Sequence, residues 1–140
     1  MSELFDRGHL EEFMARVKTI AVVGISAKEE RPSHWITQYW LEQGFKIFGV
    51  NPGLSEVLGI TCVPSLADLP ETPDVVEIFR RSEEVLPVVE QAAHLNPKPK
   101  LIWMQLGISN PEAKALAEAA GIPVVMDACL YAEYRRVTGK

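Results

Sequence analysis

Short apolar runs alternate with longer segments of helical spacing along most of this chain. Residues 19–23, 45–50, 74–79, 101–104 and 124–126 are rich in β-branched, aromatic and other apolar side chains. A run that is apolar on both faces is typical of a strand in a sheet that is covered on both sides. The pattern therefore predicts five strands.

The segments between these runs carry the end signals of helices. The leading segment, residues 1–17, has apolar side chains at helical spacing from residue 3 onward and predicts an amphipathic helix. Pro32 is placed as a first helical residue, and Gly44 marks the end of that second helix. Asn110 and Pro111 predict a capped helix start. The last helix is predicted from Leu130, Tyr131, Tyr134 and Val137.

Two stretches are less regular. Residues 54–73 are punctuated by Gly and Pro, and they predict at most a short hairpin and one helical turn around 66–69. Ser82 opens a further helix in which Pro87 lies too deep for a regular first turn. We therefore expect that helix to begin later or to start with a loose turn.

Strands that alternate with helices pair in parallel through right-handed crossovers. We predict a single α/β domain over residues 1–140, a Rossmann-like doubly wound parallel sheet of five strands in the order 3-2-1-4-5, with helices on both faces. In such a sheet a ligand binds outside the carboxyl ends of the strands, next to the first strand. The loops that follow the five strands are therefore the candidate site.

Composition and charge narrow the class of partner. The chain has 140 residues, 47% of them hydrophobic, and a net charge of −5 without a basic stripe, so no nucleic-acid partner is expected. Its apolar runs are too short to span a bilayer, and no signal-peptide pattern is present. Cys62 and Cys129 are far apart, which predicts free thiols in a reducing, cytoplasmic compartment. The spacing of the cysteines and three histidines matches no metal-ligand pattern, so no metal site is predicted.

The first candidate loop follows Gly24, which lets the backbone turn tightly and lie close to a ligand. Its backbone N–H groups, the Ser26 hydroxyl and the next helix N-terminus form a generic anion site, to which Lys28 and Arg31 add positive charge. The three-glycine dinucleotide fingerprint and the phosphate-loop signature are both absent. Gly24 is equally consistent with a plain turn at a strand end.

Asn51 and Pro52 follow the second strand. An NAD enzyme usually places an acidic residue here to bind the ribose diol. Asn51 does not repel a phosphorylated ribose, and Pro52 offers a flat apolar face to a purine ring. The alternative is an ordinary Asn-Pro turn.

An aromatic residue and two arginines follow the third strand, where Phe79 could form the other wall of a base slot. Arginine binds phosphate bidentately and stays charged, which makes Arg80 a candidate phosphate ligand. The alternative is surface pairing with Glu83 and Glu84, which is expected more for Arg81 than for Arg80.

Cys129 lies at the start of the last helix, a position typical of reactive thiols, although a buried unreactive cysteine is the alternative. His34 lies near the predicted anion site, and no Ser or Cys can be placed beside it, so a catalytic triad is unsupported and no catalytic residue is predicted. Trp35, Tyr39 and Trp40 fit core and rim packing or a dimer patch, which leaves a homodimer open.

Six segments in this order and spacing together resemble one family, the small stand-alone CoA-binding proteins. These proteins are similar to the N-terminal CoA-binding domain of the succinyl-CoA synthetase alpha subunit. The resemblance covers about residues 15–137. The segments are Gly24-Ile25-Ser26, Arg31-Pro32-Ser33, Val50-Asn51-Pro52, Ile78-Phe79-Arg80, Trp103-Met104-Gln105-Leu106-Gly107 and Asp127-Ala128-Cys129.

The resemblance implies coenzyme A laid across the carboxyl edge of the sheet. The loop after the first strand would take its phosphates, and the region of Asn51-Pro52 and Phe79-Arg80 would take its adenosine part. The ligase activity of the synthetases is not implied, because this chain has no length for their other domains. Relatives often carry Arg before the last cysteine, whereas Ala128 stands here.

The favoured hypothesis is a CoA-binding protein that holds CoA or an acyl-CoA without catalysis of its own. The alternatives are a thiol-dependent enzyme or redox protein that uses Cys129 with CoA, an NAD(P)-binding regulator, which the missing glycines disfavour, and an interaction domain with a vestigial pocket. The predicted ligand-binding residues are Gly24, Ile25, Ser26, Ala27, Lys28, Arg31, Ser33, His34, Asn51, Pro52, Ile78, Phe79, Arg80, Gln105, Gly107 and Cys129.

Overall fold

The computed structural model describes residues 7–140, and within them one sheet is covered by helices on both faces. The first six residues of the predicted leading helix lie outside the described residues. The strands are β1 (Thr19–Val23), β2 (Lys46–Val50), β3 (Glu56–Val57), β4 (Ile60–Val63), β5 (Val75–Ile78), β6 (Leu101–Met104) and β7 (Val124–Val125). The helices are α1 (Arg7–Arg16), α2 (Pro32–Glu42), α3 (Val85–His94), α4 (Pro111–Ala119) and α5 (Leu130–Thr138).

The sheet has the order β3-β4-β2-β1-β5-β6-β7, and each neighbouring pair is parallel except β3 and β4. The predicted α/β class and Rossmann-like parallel arrangement are confirmed. The predicted number of strands and the predicted order 3-2-1-4-5 are both wrong. The hairpin expected within residues 54–73 forms, and its second strand, β4, joins the sheet beside β2. The run at 74–79 therefore pairs on the other side of β1 as β5.

Two apolar cores lie on opposite faces of the sheet. One packs α1, α2 and α5 against one set of strand residues, and the other packs α3 and α4 against the alternate set. Val22 and Val75 face the first core, whereas Ala21 and Val76 face the second. Because successive strand residues point to opposite faces, a sheet covered on both sides needs apolar side chains at consecutive positions. This explains the runs in the sequence.

The helix ends follow the local signals. The Asn110 Oδ1 atom accepts a hydrogen bond from the Ala113 N–H at 3.0 Å and caps α4. A 3-10 turn at Ser82–Glu84 precedes α3, so that regular helix begins at Val85 and Pro87 stays within its first turn. Both features confirm the predicted helix starts.

Asp74 joins elements at the amino edge of the sheet. Its Oδ2 atom accepts hydrogen bonds from the N–H groups of Lys18 at 2.8 Å and Thr19 at 3.2 Å, and Lys100 lies 3.3 Å from Oδ1. Partial burial opposes ionisation, but these N–H groups and the ammonium outweigh it and lower the pKa of Asp74. The residue fastens β1 and β5 at the edge opposite the predicted ligand site.

Glu77 is a carboxyl group inside the first core, with no exposed surface. Its Oε1 atom accepts a hydrogen bond from the indole N–H of Trp40 at 2.9 Å, and its Oε2 atom has no partner among the described residues. Burial raises the pKa of Glu77 to about 8, against the opposing effect of the Trp40 bond. Glu77 is therefore predominantly protonated at neutral pH, and Trp40 is a core residue.

Among residues 7–140, no helix is both long and apolar enough to cross a membrane.

Candidate ligand-binding site

The chain passes outward from β1 to β2 and β4, then returns to continue through β5, β6 and β7 on the other side. The switch in direction therefore lies between β1 and β5. In open α/β sheets the crevice for a ligand opens outside the carboxyl ends of the strands at this point. The loops after Val23 and Ile78 flank it.

Gly24 is required where these two loops meet. Its φ angle is +90°, and a Cβ atom there would lie 2.7 Å from the carbonyl oxygen of Phe79 and 3.1 Å from Cδ of Arg80. The Gly24 N–H donates to the Val50 carbonyl at 2.9 Å, while the Phe79 N–H donates to Val23 at 2.8 Å. The glycine thus permits close backbone approach as well as a turn.

Two side chains orient the loop after Gly24. The Asn51 Nδ2 amide donates to the Ile25 carbonyl at 2.8 Å, and the His34 Nδ1 atom bonds the Ser26 carbonyl at the same distance, which places the proton on Nδ1. In a trans peptide the C=O and the next N–H point in opposite directions. The N–H groups of Ser26 and Ala27 therefore face away from these two donors and are oriented by the fold.

A cavity of about 370 Å³ lies between this loop and the start of α2, and we name it the loop cavity. It combines the N-terminal end of an eleven-residue helix with exposed cationic side chains. Both features favour an anion. Its lining residues are Gly24, Ser26, Lys28, Arg31, Pro32, Ser33 and Phe79. A shallower cavity on the other side of the loop includes Ile25, Ala27 and Asn51.

A second cavity of about 370 Å³, the distal cavity, lies beyond the carboxyl ends of β1 and β2. Pro52 and Leu66 contribute apolar surface to it, and Arg80, Glu83 and Glu84 contribute charge. The Arg80 guanidinium lies 3.4 Å from Glu84 Oε1, and that of Arg81 lies 3.1 Å from Oε2. The hydrogen bond from Arg81, together with the charge of Arg80, lowers the pKa of Glu84 despite desolvation. The pairing expected mainly for Arg81 therefore extends to Arg80.

A third cavity of about 330 Å³, the apolar cavity, is lined by the start of α2, the loop after β6 and Cys129. Pro32 and Phe79 line both this cavity and the loop cavity, so the two cavities are neighbours on either side of these residues. Cys129 stands at its wall as a free, half-buried thiol at the N-cap of α5. The full lining is Pro32, Trp35, Ile36, Phe79, Gln105, Leu106, Ile108 and Cys129.

Three residues predicted to bind the ligand line none of these cavities. Ile78 is fully buried in the second core, and His34 is buried behind the loop that it orients. The Gly107 N–H donates to Asp127 Oδ1 at 2.7 Å, which ties the loops after β6 and β7 together. Gln105 has a positioning role as well as a lining role, because its Oε1 atom accepts from the Leu130 N–H at 3.1 Å and caps α5. The other predicted residues line the cavities.

Four apolar residues of this lining were not among the predicted binding residues, although the loop after β6 was a candidate loop. Trp35 and Ile36 lie on α2, whereas Leu106 and Ile108 lie in the loop after β6. The sequence gives one indication of this lining, an apolar residue, Leu106, within a loop at a strand end. In the structure 71% of the surface of Leu106 is exposed. Trp35 was expected in core and rim packing or in a dimer patch. It is 40% exposed, and its ring meets Tyr131 edge-on with 5.1 Å between the centroids.

The fold defines a Rossmann-like α/β protein. Cavities lie along the open carboxyl edge of its sheet, and cationic side chains line some of them. A family model described as the CoA binding domain matches residues 18–135. The chain therefore belongs to the CoA binding domain family, as its resemblance to the stand-alone CoA-binding proteins predicted.

Relatives of this chain include stand-alone proteins and parts of larger enzymes. It is 36% identical over 124 residues to the uncharacterized protein YneT of Bacillus subtilis, covering 89% of this chain and 90% of YneT. It is also 26% identical over 121 residues to ADP-forming acetate–CoA ligase I of Archaeoglobus fulgidus. That match covers 81% of this chain and only 18% of the ligase.

Solved structures of similar size have the same fold. A hypothetical protein from Pyrococcus horikoshii superposes with a TM-score of 0.89 at 36% identity, covering 94% of this chain and 91% of that one. A protein from Thermus thermophilus superposes with a TM-score of 0.88 at 36% identity, covering 94% and 98% of the two chains.

Proposed function

We propose that this protein binds coenzyme A along the carboxyl edge of the sheet and holds it without catalysing a reaction of its own. The adenosine part lies in the distal cavity, the pyrophosphate at the loop cavity, and the pantetheine arm extends into the apolar cavity. The observation that carries the proposal is this order of adjoining cavities. Adenosine, pyrophosphate and the uncharged pantetheine arm follow one another in CoA in the same order.

The cations of the edge support this orientation. The chain as a whole is acidic, with 19 Asp and Glu against 14 Lys and Arg. Lys28 and Arg31 nevertheless line the loop cavity, and Arg80 lines the distal cavity. In an acidic protein, phosphates are bound through such placed groups and not through the overall field.

In this proposal Arg80 binds the phosphate on the adenosine ribose. It is about one-third exposed, lines the distal cavity and lies against Gly24. Because Arg81 also pairs with Glu84, Arg80 can turn to a phosphate without leaving that carboxylate unpaired. The end of β2 carries Asn51 where an NAD enzyme usually has an acid, which further favours CoA over NAD.

Calorimetric titration with CoA, dephospho-CoA, NAD and NADP tests this proposal. A hydrogen bond to a charged group contributes roughly 1.5–3 kcal/mol, so Arg80→Ala should weaken CoA binding about 10- to 100-fold. Dephospho-CoA, which lacks the ribose phosphate, should lose much less. Binding of NAD without any binding of CoA would refute the proposal.

Arg81→Ala is the matched control for Arg80→Ala. It removes an equal charge that pairs with the same carboxylate, Glu84. Unlike Arg80, however, Arg81 has 76% of its side chain exposed and does not line the distal cavity. CoA affinity should therefore fall by no more than about fivefold in Arg81→Ala, the cost of leaving Glu84 without an arginine when Arg80 turns to the phosphate. Equal losses in the two variants, or an equal loss of CoA and dephospho-CoA in Arg80→Ala, would remove the assignment of Arg80.

A further inference from the structure

We infer that the apolar cavity receives the acyl group of a CoA thioester and that it selects acyl groups without charge. This inference rests on the proposed binding of CoA and names the ligand class more narrowly. The protein would then hold medium-length aliphatic acyl-CoA in preference to free CoA.

The order of the cavities along the sheet edge indicates which part of the ligand enters the apolar cavity. Pro32 and Phe79 separate the loop cavity from the apolar cavity and line both. For a ligand with its phosphates beside Ser26 and its adenosine beside Arg80, we assign the other end to the apolar cavity, because this cavity shares Pro32 and Phe79 with the loop cavity and extends past them to Cys129. That end of CoA is the thiol, and in a thioester it is the acyl group.

The chemistry of the wall determines which acyl groups fit. None of the eight lining residues carries a charge, and six of them are aliphatic, aromatic or proline side chains. Burying an ionised carboxylate without a partner is strongly unfavourable, whereas each buried methylene is favourable. The cationic residues Lys28 and Arg31 line the preceding cavity and not this one. The wall therefore favours a methyl end over a carboxylate end.

Two residues at the cavity suit a thioester in particular. The Gln105 side chain has its Oε1 atom bonded to the Leu130 N–H, so its amide nitrogen is the end left to donate to a thioester carbonyl. Leu106 has 71% of its surface exposed beside the cavity, so a bound chain would cover apolar surface that now meets water.

Calorimetry with CoA, acetyl-CoA, butyryl-CoA and hexanoyl-CoA tests the length dependence. Each buried methylene should tighten binding about three- to fourfold until the cavity is full. Butyryl-CoA and succinyl-CoA form the matched pair for charge, because both acyl groups have a four-carbon chain and differ in the terminal group. Butyryl-CoA should bind at least about tenfold more tightly.

Two variants locate the effect in the cavity. Ile108→Trp fills the cavity, so it should weaken hexanoyl-CoA binding more than free CoA binding and bring the hexanoyl-to-CoA preference close to one. Leu106→Ser removes rim surface at an exposed position, so it keeps the fold and should lower the hexanoyl-to-CoA preference about three- to tenfold. Leu41→Ser is the matched control, since Leu41 is an exposed leucine of α2 that does not line the cavity.

The outcomes separate this inference from the proposed function. If no CoA species binds, the proposed function itself fails. If free CoA binds, and butyryl-, hexanoyl- and succinyl-CoA bind equally well, only the acyl assignment is refuted. An unchanged acyl preference in Leu106→Ser, or the same reduction in Leu41→Ser, would also refute it.

Discussion

Replacing Glu77 by glutamine should remove a pH dependence of stability worth about 3–4 kcal/mol between pH 5 and pH 8. Glu77 is fully buried, and its pKa in the folded protein is raised to about 8 from an ordinary value of 4.5. Folding therefore favours its protonated form. This group contributes most to stability below about pH 4.5, and the contribution is lost as the pH rises to about 8.

The glutamine variant stays neutral across this range. Its carboxamide oxygen can still accept the hydrogen bond from Trp40 Nε1, which Glu77 accepts at 2.9 Å. The difference in the free energy of unfolding between Glu77→Gln and the unsubstituted protein should therefore grow in favour of the variant by about 1.4 kcal/mol per pH unit within the window.

Urea unfolding at several pH values measures this difference. Asp74→Asn is the control, because the pKa of Asp74 is lowered and its titration lies below pH 5. Its effect on stability should stay constant from pH 5 to pH 8. A Glu77→Gln effect that is also constant over that range would show that Glu77 is not held protonated by burial.

Gly24→Ala should both destabilise the protein and abolish tight CoA binding. The residue has a φ of +90°, and its new Cβ atom would meet the Phe79 carbonyl at 2.7 Å. Relieving that contact moves the loops after β1 and β5 apart and displaces Arg80. We expect a loss of CoA affinity of at least about tenfold, and a loss of stability of about 2–5 kcal/mol from backbone strain and overpacking together.

Gly44→Ala measures the cost of backbone strain alone, without a close contact between the new Cβ atom and another residue. Gly44 has nearly the same φ, +93°, but nothing lies within 4 Å of a Cβ atom there. It should lose only the roughly 1–2 kcal/mol of the strained backbone and bind CoA normally. Thermal unfolding and calorimetry of both variants provide the comparison. Equal destabilisation by the two, or full CoA binding by Gly24→Ala, would contradict the close approach at the switch point.

Local signals made much of the fold predictable. The five strands predicted from apolar runs lie where helices cover both faces, and Asn110 with Pro111 marks a helix start by its own chemistry. The strand at Ile60–Val63 was expected only as part of a short hairpin and not as a strand of the parallel sheet, because it lies near the edge and leaves Thr61 exposed. Leaving it out of the parallel sheet placed the next strand on the wrong side of β1.

The candidate site was predictable as a set of loops and not as a set of contacts. Asn51 was assigned to the ligand, whereas its amide holds the Ile25 carbonyl and its Oδ1 atom accepts the Gly53 N–H at 2.8 Å. The partnership of Trp40 with Glu77 joins a helix to a strand 37 residues later, and no local pattern specifies it. The apolar cavity likewise draws its wall from separate elements.

The central claim is that CoA lies along the carboxyl edge of the sheet. Amide ¹⁵N–¹H correlation spectra recorded during a CoA titration test it most directly. We predict shifts at Ser26, Ala27 and Cys129, while Lys18 and Lys100 at the amino edge stay unchanged. Shifts confined to the amino edge, or a spectrum that CoA leaves unaltered, would contradict the account.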